Sequence, residues 1–434
     1  MRIRLLAVVL LVSVTSVTLS LIRGQERPAT ASPPAAAPAA PAATTPAPAI
    51  GTAATPATPL KPARDFAQMS KLHQQMLYAA HRGADWLFRM HGVKGRFVPG
   101  YLPALKQVME GDNFLRQCGA ACALGQSARF IGEERFAARA TQTVLALLEE
   151  TALDPTDSMA RRVTIPAGAV NRLGATAALT LAIHELPTPQ KDLLDRSDEM
   201  CRYIHKQVRA DGSLNYHDTA DRKADDDGIT VYPGLALRAL MASHRHRPAA
   251  WKTEVVRKAA PYYRAWCREH RNLEMIPDLI AAFTEAYIVT KDSRCAEFVV
   301  ETSDWLCSLQ YTQIDPRRMY WYGGFMSYRD GRPVESAPDV TSARYATALA
   351  EACRVARDRG DVTRFQRYSE AIERCLQFLA TVQYTDAVCQ HFAAWYRPQV
   401  VGGFHASHQD GNLRIDYTQH AVAALLGYLE HASQ

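Results

Sequence analysis

The sequence predicts an all-α fold in which six inner helices are ringed by six outer ones. Two observations predict it. From Leu72 onward, amphipathic segments alternate six times with segments that are apolar almost all round, and no run shows the period of two that marks a half-buried strand. The connections are also lopsided, very short after each apolar segment and mostly long before it. A helix with one apolar stripe buries one face, whereas a helix apolar on all sides must be enclosed by others. The order therefore reads outer, inner, outer, inner, and such a pattern closes into a ring.

The first elements lie outside that ring. Residues 1–24 carry Arg2 and Arg4, an apolar run from Leu5 to Ile22, and then Arg23. This is the pattern of a secretory signal peptide or a membrane anchor. Residues 25–65 are dominated by Ala, Pro and Thr. Such a segment cannot bury enough apolar surface to offset chain entropy, so a disordered linker is expected. In an extended polyproline form, at about 3.1 Å per residue, its stretch from Pro28 to Ala63 spans up to roughly 110 Å. The arrangement points to an extracytoplasmic protein, periplasmic or at the cell envelope, that is secreted or held to a membrane through its N-terminal segment.

Residues 66–434 remain for the ring, enough for one large helical domain. The outer segments are 72–91, 133–151, 191–209, 251–270, 293–311 and 362–383, with apolar residues three and four apart. Pro261 is expected to kink or split the fourth. The inner segments are 113–128, 171–186, 232–244, 276–289, 341–356 and 415–429, rich in Gly and Ala, which let neighbouring helices approach closely. Nine cysteines, an odd count without a Cys-x-x-Cys, fall mostly in these helical contexts and read as small buried hydrophobes. The net charge of +6 comes without any Lys/Arg run, so no nucleic-acid partner is expected.

Glycine-aromatic turns recur after the outer segments. They are "GRFVPG" (95–100), "YGGF" (322–325) and "VGGF" (401–404). A fourth turn, Gln207 followed by Asp211-Gly212-Ser213, is similar to the Gln…Asp-Gly-Ser turn of terpenoid cyclases, with Leu214 in place of the expected Trp. Over residues 70–432 the chain resembles the (α/α)6 toroid, the barrel of six-hairpin glycosidases, polysaccharide lyases, sugar epimerases and isoprenoid cyclases. The resemblance is architectural and selects no single family.

All the long connections (92–111, 152–168, 210–231, 312–338 and 384–412) must emerge where the inner helices begin. Long loops on one face of a rigid scaffold usually carry function. That face also presents the positive ends of six helix dipoles, which favour carboxylates and anions. The loops contribute Asp112, Tyr216, Asp227, Trp321, Tyr322, Glu335, Trp395, His405, His408 and Asp410, the last of them leading into Arg414, Asp416 and Tyr417.

The leading expectation is a glycoside hydrolase with two carboxyl groups. Asp416 or Asp112, at a helix start, suits the base, and Asp227 or Glu335, in a less polar loop, suits the acid. The aromatic and remaining polar residues then contact a glycan. In a variant, a uronic-acid lyase or epimerase, Tyr417 or a histidine removes a proton and Arg414 neutralises substrate charge. A non-catalytic envelope binding module and an isoprenoid cyclase-like enzyme, the latter through Asp225–Asp227, are the other classes considered. No metal or other cofactor is expected: His405-x-x-His408 with Asp410 could bind a metal, but loop histidines at that spacing are common, and no strong zinc spacing or nucleotide motif is present.

Overall fold

The computed structural model describes residues 60, 62–63, 65–166, 170–218 and 228–433. The expected signal or anchor segment and nearly all of the linker lie outside the described residues. Asp225, Asp226 and Asp227 lie outside them too.

The outer helices are α1 (Lys71–Met90), α3 (Glu134–Leu148), α5 (Lys191–Lys206), α7 (Ala250–Glu269), α9 (Ser293–Cys307) and α11 (Val362–Thr381). The inner helices are α2 (Phe114–Ile131), α4 (Arg172–Glu185), α6 (Tyr232–His246), α8 (Ile276–Thr290), α10 (Ser342–Asp358) and α13 (Ile415–Gly427). A short helix, α12 (Arg397–Val400), lies in the last long connection. The burial patterns follow the sequence. Every residue of α4 after Arg172 is buried, whereas α1 buries one stripe that includes Met76, Ala80, Trp86 and Leu87.

The inner helices close on themselves. α2 packs on α4, α4 on α6, α6 on α8, α8 on α10, α10 on α13, and α13 back on α2. This is the predicted toroid. Local signals set its boundaries: the Asn113 and Asn171 side chains cap the first turns of α2 and α4, and Gly132 ends α2 in the left-handed region at φ 86°.

Pro261 does not split α7, which runs unbroken through it. The proline lies on the exposed side of the helix, where solvent can take up the carbonyl bond that it forfeits.

The recurrent glycine turns have one structural cause. Gly95, Gly212, Gly323 and Gly402 all have positive φ, between 75° and 94°. Each leans on the next outer helix: a Cβ on Gly212, Gly323 or Gly402 would fall 1.9–2.4 Å from a carbonyl oxygen of Lys258, Arg374 or Arg82 respectively. Only glycine permits both the dihedral and the approach. Backbone bridges His91–Phe97, Val208–Leu214, Gln310–Phe325 and Gln383–Phe404 then fold a buried apolar side chain beneath each turn. Gln310 and Gln383 fasten two of the turns, each donating to the turn glycine and to the neighbouring outer helix. The turns hold the outer ring together.

The long connections also contain strands that the sequence pattern missed. β1 (Gly100–Leu102), β2 (Gln107–Val108), β7 (His405–Ser407) and β8 (Asp410–Arg414) form an antiparallel sheet in the order β2-β1-β8-β7. Pairing of Gly100 with Arg414 joins the first connection to the last and closes the ring a second time. Hairpins β3 (Thr151–Asp154) with β4 (Asp157–Val163), and β5 (Ser327–Arg329) with β6 (Arg332–Val334), occupy two other connections. Most of these strands are too short for a period of two to show. All nine cysteines are unpaired, and six of them are buried.

Candidate functional site

At the long-loop face the axis of the ring holds a chamber of about 350 Å³, lined by all six inner helices, five of them through their opening turns and α4 through Ala178, Leu181 and Glu185. That volume lies within the range of small-molecule sites. Leu115, Val231, Leu235 and Pro277 give it an apolar wall. Set into that wall are Arg116, Arg238, Asp278, Arg344, Asp416 and His420.

The charged groups are paired. Asp278, in the first turn of α8, accepts from Arg238 at 2.9 Å and lies 3.9 Å from Arg344. Arg344 also binds the Glu274 side chain and donates to its backbone carbonyl at 3.0 Å. Burial disfavours the Arg344 charge, but Glu274 and Asp278 outweigh it and raise the pKa. Asp416, in the first turn of α13, accepts from Arg414 at 2.9 Å and lies 3.2 Å from Arg116. Deeper in, burial opposes the Glu185 charge, yet Arg129, Arg245 and Arg238 bring its pKa down to about 2.

Two neighbours on α13 differ from these. His420 lines the chamber and makes no hydrogen bond among the described residues. Burial, with Arg344 alongside, lowers its pKa to about 4, so the imidazole is neutral at pH 7. Gln419 is buried and its Oε1 has no partner among the described residues. It fits only because Gly119 faces it, where a Cβ would lie 2.1 Å from the amide.

Of the described residues expected from sequence, Asp416 alone lines the chamber. Arg414 and Tyr417 stand beside it, the guanidinium donating to the Tyr417 hydroxyl at 2.8 Å and covering its ring. His405, His408 and Asp410 form a separate group. His405 contacts the Ser407 carbonyl at 2.9 Å and packs on Tyr384. His408 bonds Thr381 at 2.8 Å and packs on Tyr320, and Asp410 accepts from the Asn412 backbone. Asp112 receives the side chains of Arg96 and Gln117 and the backbone N–H of Asn113, the residue that caps α2. Glu335 is exposed and accepts from Arg318, whose guanidinium covers Trp321. Tyr322 ends the short turn containing Trp321. The Tyr216 carbonyl accepts from Asn171, and Trp395 is exposed beside Tyr396. Asp227 lies outside the described residues.

The sequence reading missed Arg238, Asp278, Arg344, Gln419 and His420 because they belong to segments read as apolar all round. The signal was available. A charged residue within an otherwise enclosed helix, such as Arg238 in "LALRALM" (235–241), needs a partner or a purpose.

No family model matches the chain, and no curated protein matches it in sequence. Solved structures do match in fold. An unsaturated glucuronyl hydrolase from Bacillus sp. GL1, responsible for the degradation of glycosaminoglycan, superposes with a TM-score of 0.56 at 16% identity, covering 82% of this chain and 97% of that one. Cellobiose 2-epimerase from Bacillus thermoamylovorans B4167 gives 0.59 at 11%, covering 82% and 99%. A D-mannose isomerase gives 0.57 at 12%, covering 83% and 99%. The chain thus has the six-hairpin, (α/α)6-toroid fold.

Proposed function

We propose that this chain is a carbohydrate-active enzyme that takes a sugar ring into the axial chamber and moves a proton at carbon, as an epimerase, isomerase or lyase does. The observation that carries this reading is His420, a neutral imidazole with no partner among the described residues, facing a chamber that also presents Arg344 and Arg238. Removing a proton next to a carbonyl or carboxylate needs a free base and cations at the oxygen that gains charge. An acidic sugar suits the site best. Its carboxylate, set against Arg344, offsets the positive field that weakens His420 as a base. Solved structures of similar fold include hydrolases, an epimerase, an isomerase and a polysaccharide lyase, which support the substrate class without selecting the reaction.

Glycoside hydrolysis is the second reading, favoured by Asp416 and Asp278 facing one chamber. It requires a carboxyl that stays protonated to serve the leaving oxygen. Glu185 and Glu351, deeper in the same chamber, are instead both driven toward the charged form by arginines. The proton-transfer reading therefore leads.

Incubation with uronic-acid oligosaccharides and neutral disaccharides in D2O separates the two. Deuterium appearing at the carbon next to the carbonyl or carboxylate, or an unsaturated product absorbing in the ultraviolet, is expected. Clean hydrolysis without deuterium at carbon would overturn the proton-transfer reading.

We also propose that the enzyme works outside the cytoplasm, tethered or secreted through its N-terminal segment. Ala63 donates to the Phe130 carbonyl at the end of α2, so the chain enters the toroid on the short-loop face. Periplasmic localisation of a fusion reporter, and its loss when residues 1–24 are deleted, is the expected result.

A further inference from the structure

The lumen continues beneath the chamber described above. A second chamber of about 240 Å³ opens on the opposite, short-loop face, between the C-terminal ends of the inner helices. The two share a layer of side chains that includes Gln126, Glu185, Arg238, Thr347 and Glu351, so one thickness of residues separates them.

The lower chamber is built of charge. Arg129, Arg238, Arg245 and Arg354 face Glu185, Glu285, Glu351 and Glu430 around its wall. Burying ion pairs is costly, and apolar side chains of the same volume would close a helical ring at least as stably. An open, charged lumen is therefore not explained by packing. Part of its polar capacity is also unused. The Arg245 guanidinium lies 3.6 Å from Glu185 and 3.9 Å from Glu285, and it donates no hydrogen bond among the described residues. The Gln126 amide, facing both chambers, likewise has no hydrogen bond among them.

We propose that the lower chamber is a second binding site, taking a free neutral monosaccharide from the short-loop face. Positive and negative groups balance around it, which favours neither an anion nor a cation. A polyol, whose hydroxyls both donate and accept, satisfies arginine and glutamate together. The volume equals about eight waters at roughly 30 Å³ each, room for one sugar ring. Arg238 connects the two sites, since it lines the lower chamber and also holds Asp278 above. The choice of a sugar rests on the proposed function; the existence of the site does not.

The test is calorimetric titration of the full chain with D-glucose and D-mannose, independent of any turnover. Leu115→Trp fills the upper chamber only. Gly427→Leu fills the lower one, where a new Cβ meets only the Ala350 Cβ at 3.7 Å. Arg245→Gln keeps a polar side chain but removes the charge 3.6 Å from Glu185, and with no hydrogen bond to lose among the described residues it decides the matter if Gly427→Leu does not fold. Saturable binding is expected in the wild type and in Leu115→Trp, weakened about tenfold or more in Gly427→Leu and Arg245→Gln. Any other pattern, including no saturable binding to the wild type, overturns the lower site. Failure of the proposed reaction shows separately, as absent turnover with this binding intact.

Discussion

The rim of the upper chamber and its wall use polar side chains in opposite ways. At the rim, His405 and His408 are tied down by Ser407 and Thr381, and each packs on a tyrosine. Glu335 is bound by Arg318, and Asp112 by Arg96 and Gln117. In the wall, His420 and the Gln419 Oε1 have no such partners among the described residues, although they sit on an inner helix where an unmet polar group is costly. The density of ionisable residues in a loop thus does not by itself show which of them face the chamber. Hydrogen-bonding capacity left unused in an enclosed place is a better guide.

The sharpest way to break that contrast is to exchange the roles. His420→Asn is expected to lower turnover by about 10²–10⁴-fold, the usual worth of a general base, while leaving the melting temperature close to wild type. His408→Asn at the rim is expected to leave kcat within a few-fold of wild type. Equal losses in the two variants, measured by initial rates on the same uronate substrate, would erase the distinction.

The next effect is on stability. Arg238→Met leaves Asp278 at the half-buried chamber wall with Arg344 3.9 Å away, so the cost should be about 1–3 kcal/mol, below that of a fully buried pair. Adding Asp278→Asn to it should recover part of that loss. Urea unfolding of the single and double variants measures both values.

A third test compares two buried histidines. His184 is fully partnered, with Ser197 at 2.6 Å and His246 at 3.0 Å, and burial lowers its pKa to about 3. Its ordinary value is 6.5, so between about pH 6.5 and pH 3 the unfolded chain binds the proton and the folded chain does not. Stability should therefore fall as pH drops through that window. His184→Gln should flatten the dependence and lower stability at pH 7, where its bonds are lost. His420→Asn should flatten it as well, between pH 6.5 and about pH 4, but without the loss at pH 7. Unfolding midpoints across pH 4–7 distinguish the two.

The smallest effect belongs to the rim. Trp395 is 68% exposed, so Trp395→Ala should change stability by less than about 0.5 kcal/mol. If the ring stacks on a longer glycan, KM should rise several-fold for oligosaccharides and stay unchanged for a disaccharide.

The sequence by itself determined the toroid, because a helix that is apolar all round and one that is apolar on a single stripe require different neighbours, and their strict alternation leaves little but a ring. It also determined which face carries the long connections, since chain direction alternates from helix to helix and the links differ in length. The Asp-Gly-Ser and Gly-Gly-Phe turns were legible as turns for the same local reason, the backbone each glycine permits. Placement of the chemistry was decided by tertiary structure. Whether His405 or His420 faces an open chamber depends on which side chains from distant helices reach them first, and nothing within a few residues of either records that. Tyr320 comes to His408 from another connection and Thr381 from the end of α11. Gly119, from the far side of the ring closure, makes room for Gln419.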